Sequence, residues 1–549
     1  MKFKKIFCLI MAACLLAIPM AGCQKDDPKD DSKDGDGTKT YTLANIAQTA
    51  ADYTLVRPET CSALVTDALK LARNVIKEKG MDLEPVTDWI ERGTEPDSSA
   101  REILIGNTNR PESTEAAQGL KEDQYAIKMI GNKICIVGSN DYATRNGVYE
   151  FLSTYFGYVA PDFTFHNVKD YGAEGDGKRD DTDAFKAAIK AAESDGLPVY
   201  VPAGSYIVTE TLVLNSVTLY GYNSGAWTAD NCDLPLLYHS NLEEPLFNVK
   251  SGSVSGLNIK VQGVSEETKS AAETIRITNT GGRVSNLTIR NPYIGITTHY
   301  DPDEKEGNPG RCFIENIFIV EAYNTGVNVY GTRDVATLCN IEVWNPNSVC
   351  PVAFRFGDND DLRAVNLFAF KATVGFLFEE TEYGSCWASF SNCSVDYTSI
   401  GIRVGEGNHQ LTFTGGTWWT HHKALDVTAK ATNAIVVVSG CEMKSNGDNT
   451  INIAGGSQVA VSGCALVRNA ANANPAPVKI SGGGIVNVSG NSISANGMAV
   501  QIESTFKGAA TICGNAIATS RTSGGIQNSA KNATVEMVGN AILNNQKFE

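Results

Sequence analysis

The chain has 549 residues and a formal net charge of −16, with 42% hydrophobic and 20% charged residues. That length allows roughly two to four domains. The acidic balance argues against a nucleic-acid binder, because phosphate recognition needs basic patches, and after the first stretch no apolar run reaches transmembrane length.

The chain opens "MKFKKIFCLIMAACLLAIPMAGC". Lys2, Lys4 and Lys5 precede an apolar run that ends in small residues, the pattern of a secretory signal over residues 1–22. Met20-Ala21-Gly22-Cys23 resembles the bacterial lipobox. The resemblance implies that Cys23 is lipidated and tethers the protein to the cell membrane or outer membrane, outside the cytoplasm. Residues 23–41 are charged and lack apolar residues to bury, so they read as a disordered acidic tether. The cluster from Gln24 to Asp27 is similar to acidic surface-export signals of some Gram-negative lipoproteins, which implies surface exposure.

Residues 42–160 read as an α+β unit. Leu64, Ala68, Leu71 and Val75 fall at helical spacing, with Gly80 as a stop. A strand follows in "REILIGN", then "YAIKMI" and "KICIVG" around a Gly131-Asn132 turn, then a second helix in "DYATRNGVYEFLSTYFG". The pieces "EILIGNT", "GNKICIVGSN" and "RNGVYEFLSTYFG" resemble the accessory domain that precedes the catalytic barrels of hexosaminidases and α-glucuronidases. That domain is not the catalytic one in those enzymes, so the resemblance implies no catalytic residue here.

From residue 161 to 549 the chain changes character. "VSGCEM", "VSGCAL", "VSGNSI", "ICGNAI" and "MVGNAI" place Cys441, Cys464, Asn491, Asn515 and Asn540 at spacings of 23, 27, 24 and 25. Looser units such as "SNLTIRN" and "ENIFIVE" precede them, each followed by a second strand such as "IGITT" or "IGIRVG". One such unit cannot bury its apolar face alone, but stacked units can. Alternation turns Ile402 and Val404 inward with Arg403 outward, and Leu425 and Val427 inward with Asp426 outward. The fold expected is mainly β, a right-handed parallel β-helix preceded by a small α+β domain. The fourteen cysteines include no C-x-x-C pair, which argues against a zinc cluster. Cys441 and Cys464 should stack as small buried residues, with the asparagines that follow forming a ladder.

"YGAEGDGKRDDTDAFKAAIKAA" opens this region. It lacks the Gly-Lys-Ser/Thr ending of a phosphate loop and the closing Glu of a calcium loop. Asp181 or Thr182 can cap a helix near 181–195 whose Phe185, Ile189 and Ala192 cover the open end of the coil. Together with "GLPVYVPAGSYIV", the stretch from Phe165 is similar to the start of the pectate-lyase-like β-helix superfamily, which includes polygalacturonases, rhamnogalacturonases and epimerases. The resemblance implies action on a polysaccharide; the reaction depends on the groove.

Polygalacturonase-like members carry paired carboxylates before one strand row. Here Asn324-Thr325 is followed by Gly326, and the Gly-His-Gly is missing. "HYDPDEKEGNPG", from His299, faintly resembles the mannuronan epimerase signature, with Asp303 in place of His. Its Asp301, Asp303 and Glu304 could hold calcium. Geometry alone supplies a third line: outward positions Asn328, Tyr330, Arg355, Glu379, Arg403 and Asp426, with Tyr323, Lys371, Asp396, Tyr397, Trp418, Trp419, His421 and His422 just ahead of them. Aromatics stack on sugar faces, and Arg or Lys pairs with uronate carboxylates. Glu379, Asp396, Arg403 and Asp426 are the catalytic candidates. Tyr323, Tyr330, Arg355, Lys371, Trp418, Trp419, His421 and His422 are the substrate-binding candidates. Successive strand residues face opposite ways, so Trp418 and Trp419 cannot both be buried. The expected partner is a polysaccharide, acted on by a hydrolase or lyase; a non-catalytic glycan-binding or adhesion protein is the alternative.

Overall fold

The computed structural model describes residues 39–546, apart from residue 92 and the segments 122–123, 160–164, 223–233 and 301–306. The expected signal, Cys23 and most of the tether therefore lie outside the described residues. The chain divides into two compact units, residues up to 163 and from 164 onward.

The first unit is built on a five-stranded sheet in the spatial order 85–87, 54–57, 102–105, 133–138, 125–130. The last two strands are the antiparallel hairpin around Gly131. The helix Ala63–Glu78 lays Val65, Ala68, Ala72 and Ile76 on one sheet face, where Phe151 and Leu152 of the helix Asp141–Phe156 join them. Glu102, buried on the other side, bonds both Arg110 and Lys133, so none of the three charges is buried without a partner.

The second unit is a right-handed parallel β-helix in which each full coil contributes three strands. We call the sheets they build A, B and C. In one coil, strand A is Cys386–Ser391, while Ser394–Val404 supplies first a B and then a C segment. The strands pair in parallel and their inward rows stack like on like: Phe376, Ile402, Leu425 and Ile451 share one such row, none of them exposed. Burying such a row in adjacent coils, about 4.8 Å apart, gives the solenoid its continuous core.

The A–B corner turns on a single residue at positive φ. Asn286, Asn316, Asn340 and Asn366 fill it in successive coils, with φ of 54–57°. Their side chains bond one another at 2.8–3.1 Å. Asn tolerates this left-handed conformation better than most residues. Farther along, Gly440, Gly463, Gly490 and Gly514 take the corner. The residue after each glycine then stacks inside: Cys441 N–H donates to Cys464 Sγ, Cys464 N–H to Asn491 Oδ1, and Asn491 N–H to Asn515 Oδ1. Elsewhere burial pushes the thiols of Cys312, Cys350 and Cys386 up to about 12, the chemistry of packing residues rather than nucleophiles.

The helix Thr182–Asp195 closes the first coil, with Phe185 and Ile189 inside the core. Its cap differs from the expected one. The Asp180 carboxylate, not Asp181 or Thr182, accepts the Thr182 N–H at 3.0 Å. Asp181 instead accepts from Glu174 N–H and Gly175 N–H, pinning the glycine-rich loop. Gly175 sits at φ 65°, and a Cβ there would lie 2.8 Å from the Tyr206 ring. The loop is shaped for close approach to the first coil.

Candidate functional site

The outer face of sheet C carries a register row running Arg276, Thr297, Asn328, Arg355, Leu377, Arg403, Asp426 and Asn452. Glu379 does not occupy this row. The strand ends at Phe378, and Leu377 is the residue paired with Arg355 and Arg403. Leu377 packs with Val352, Val374 and Ile400 in a small cluster separate from the core, so an apolar residue holds the position that alternation assigned to a charge. Glu379 still reaches Arg355, at 3.9 Å.

Asp426 is outward in register but only 4% exposed. Oδ2 accepts from Arg403 at 3.2–3.3 Å and lies 3.8 Å from Lys423, while Oδ1 accepts from Asn452 at 2.8 Å. With both oxygens engaged by its neighbours, Asp426 holds Arg403 in place and does not face a substrate, a correction to its expected catalytic role. Removing one partner of such a cluster would strand a buried charge.

Beyond this row, where the chain leaves sheet C, His299 and Tyr330 meet. Tyr330 Oη and His299 Nδ1 are 2.8 Å apart. The Tyr330 backbone is clamped by Thr298, whose Oγ1 accepts its N–H and donates to its C=O, each at 2.8 Å. Burial, with the nearby charge of Glu273, pushes the phenol up to about 12, and Arg276 opposes that shift. Glu273 and Arg276 are themselves ion-paired. Farther out, Arg333 lies 3.0 Å from Asp358 and over the ring of Tyr300. A hollow of about 410 Å³ lined by Glu380, Glu406, Asn408 and Lys430 lies on the same side of the coil.

The remaining predicted residues gather elsewhere. Tyr323, Lys371, Asp396, His421 and His422 lie at the end of sheet B and the corner between B and C. Lys371 Nζ donates to Pro346 C=O at 3.0 Å, and His422 sits 3.5 Å from Asp448. Tyr397, also at this corner, is six residues before Arg403, or about 20 Å of extended chain. The adjacent tryptophans part company. Trp419 is 42% exposed and donates to Glu442 at 3.2 Å. Trp418 is fully buried, its ring 5.1 Å from Phe376 and 5.7 Å from Phe413. Trp418 is therefore a core residue and not a substrate contact.

The polygalacturonase carboxylate is excluded sterically as well as by sequence. A Cβ on Gly326 would lie 2.6 Å from both Ala353 C=O and the Val343 side chain. The acidic loop with Asp301, Asp303 and Glu304 lies outside the described residues. Among the described residues no group of three or more His, Cys, Asp or Glu is arranged to hold a metal.

Sequence reasoning missed the His299–Tyr330 pairing and the place of Glu273 and Arg276. A signal existed for one of them: Arg276 in "ETIRI" holds the same strand position as Arg403 in "IGIRV".

The chain is similar to alginate lyase 7 of Azotobacter vinelandii, 60% identical over 45 residues, 8% of this chain and 5% of that protein. It is 40% identical over 65 residues to a glucan 1,3-beta-glucosidase of Cochliobolus carbonum, 10% of this chain and 8% of that protein. The chain thus spans less than a tenth of the length of these curated relatives. The A-module of a mannuronan C-5 epimerase from Azotobacter vinelandii superposes with a TM-score of 0.41 at 18% identity, covering 69% of this chain and 99% of that one. Residues 165–231, a stretch that includes the capping helix, match the family model described as rhamnogalacturonase A/epimerase, pectate lyase-like.

Proposed function

We propose that the protein is an extracytoplasmic polysaccharide lyase that cleaves a uronate-containing glycan on the outer face of sheet C. The observation that carries this reading is the 2.8 Å contact between Tyr330 and His299, on the face that bears Arg276 and Arg355. The local likeness to a protein named alginate lyase supports it.

The chemistry follows from the groups present. Arg355 or Arg276 pairs with the uronate carboxylate, which makes the neighbouring C5–H bond more acidic. The phenol donates to His299 Nδ1. As Tyr330 Oη takes the C5 proton, its own proton passes to His299, so no free tyrosinate is needed despite the raised pKa. The C5–H electrons become the C4=C5 double bond, and the C4–O bond breaks with its pair on oxygen. The proton returns to that oxygen through Tyr330, restoring the pair. Hydrolysis fits less well. It needs a pair of carboxyls, one to donate and one to accept a proton, whereas Glu273, Glu379 and Asp426 each lie within 4.0 Å of a cation, and Asp358, whose carboxyl pKa burial raises, has Arg333 at 3.0 Å opposing that shift.

Alginate and polygalacturonate serve as test substrates. The expected result is a rise in ultraviolet absorbance from the C4=C5 bond with the wild type and none with Tyr330→Phe. New reducing ends without that absorbance would make the protein a hydrolase, and retention of the polymer without either would make it a binder. The same reading places the protein on a lipid anchor at Cys23. Cys23→Ser should release it from membranes, and unchanged membrane association would contradict that placement.

A further inference from the structure

We infer that the corner between sheets B and C is a second glycan-binding surface, separate from the arginine-bearing face and selective for neutral sugar chains. Phe370, Tyr397 and His421 form a ladder of rings through successive coils, with centroids 6.0 and 4.7 Å apart. Trp419 belongs to the coil of His421, on the outer face of sheet B. Tyr397 is 58% exposed and Trp419 42%. The ladder runs along the solenoid axis, the direction in which a long chain could lie across several coils.

The backbone of this corner ledge fixes where the Tyr397 ring stands. Tyr397 holds φ 54°, the conformation given to asparagine or glycine at the A–B corner. Glu321 and Lys371 turn the same corner at φ 56° and 60°, so the conformation belongs to the corner, and the aromatic ring is what sets Tyr397 apart. That ring touches Phe370 and His421 yet remains mostly exposed. Stacking on the C–H faces of sugars is what exposed rings in a row can do.

Charge selects the class of chain. Around the rings lie Asp396, Glu442 and Asp448 against Lys371 and Lys444. Lys444 sits over the Trp419 ring, 4.8 Å from its centroid, and Lys371 is bonded to a backbone carbonyl. The carboxylates are engaged too, Asp396 by the Tyr397 N–H, Glu442 by Trp419 and Asp448 beside His422, but they outnumber the two lysines, which favours hydroxyls over a polyuronate. This inference does not depend on the lyase reading.

Affinity electrophoresis through gels containing laminarin or xyloglucan, both neutral, or alginate tests it. Tyr397→Asn suits the positive φ and keeps the fold, and Trp419→Ser removes an exposed ring. The wild type should be retarded by a neutral glycan. The double variant should lose at least fivefold in association constant with an unchanged melting temperature, while Tyr330→Phe is retarded like the wild type. Turnover of alginate, scored separately, should be unchanged in the double variant, so the ledge and the lyase reading can fail independently. A wild type not retarded by either neutral glycan, retardation by alginate alone, or a double variant retarded like the wild type would each overturn the inference.

Discussion

The two corners flanking sheet B solve the same geometric problem differently. At the A–B corner one residue at positive φ turns the chain, and the same chemistry recurs in coil after coil. Asn491 and Asn515 spend their side chains on the preceding coil's amides and carbonyls, leaving little for a ligand. At the B–C corner the recurrence breaks: Glu321, Lys371 and Tyr397 stand at comparable backbone angles, in the loops leading into the arginine-bearing face of sheet C. Glu321 caps the loop at Asn347 and Ser348, Lys371 holds Pro346, and Tyr397 points to solvent. Repetition in a solenoid marks what each coil needs to stack. Where repetition is lost, Glu321 and Lys371 still tie neighbouring coils together, and Tyr397 alone of the three exposes its side chain to solvent.

Substitutions can break or sharpen that contrast. The largest effect is expected on the aperiodic side. Tyr330→Phe removes the proton-carrying oxygen and should lower turnover at least ~100-fold, with melting unchanged; a variant of wild-type activity would disqualify the Tyr330–His299 pair. Next comes the periodic side. Trp418→Ala should destabilise the β-helix by about 3–5 kcal/mol, read by denaturant unfolding, because its ring fills the core beside Phe376. A stable Trp418→Ala protein would mean that the ring is not a packing element. Asn515→Ala removes the acceptor for a buried Asn491 N–H and the donor to Val488 C=O, at a cost of about 1–3 kcal/mol; a neutral result would show that the ladder is decorative. Trp419→Ser should change stability by no more than ~0.5 kcal/mol. A large loss there would erase the distinction between the two tryptophans.

Much of the fold was legible because periodicity is a property of sequence. The spacings that aligned Cys441, Cys464, Asn491 and Asn515 become hydrogen bonds in register, and Phe185 and Ile189 lie in the core as helical spacing required. The candidate site was legible in part. Alternation placed Arg355 and Arg403 in one outward row but put Glu379 where Leu377 stands, since an apolar residue on an outer face looks inward to a pattern reader. Adjacency said that one of Trp418 and Trp419 must face out. Which one was decided by the inward row that holds Trp418, with Met443 paired to it and Leu466 paired to Met443 in the coil after. The His299–Tyr330 contact joins residues 31 apart on consecutive coils, and no single repeat contains it.

The central claim is that this face breaks a glycosidic bond by elimination, and it is tested most directly by mass spectrometry of the products formed in oxygen-18 water. The account predicts uronate oligosaccharides lighter by one water than their saturated counterparts, carrying no label at the cleaved position, and absent when Tyr330→Phe replaces the wild type. Saturated fragments that carry one solvent oxygen at the new reducing end would contradict it.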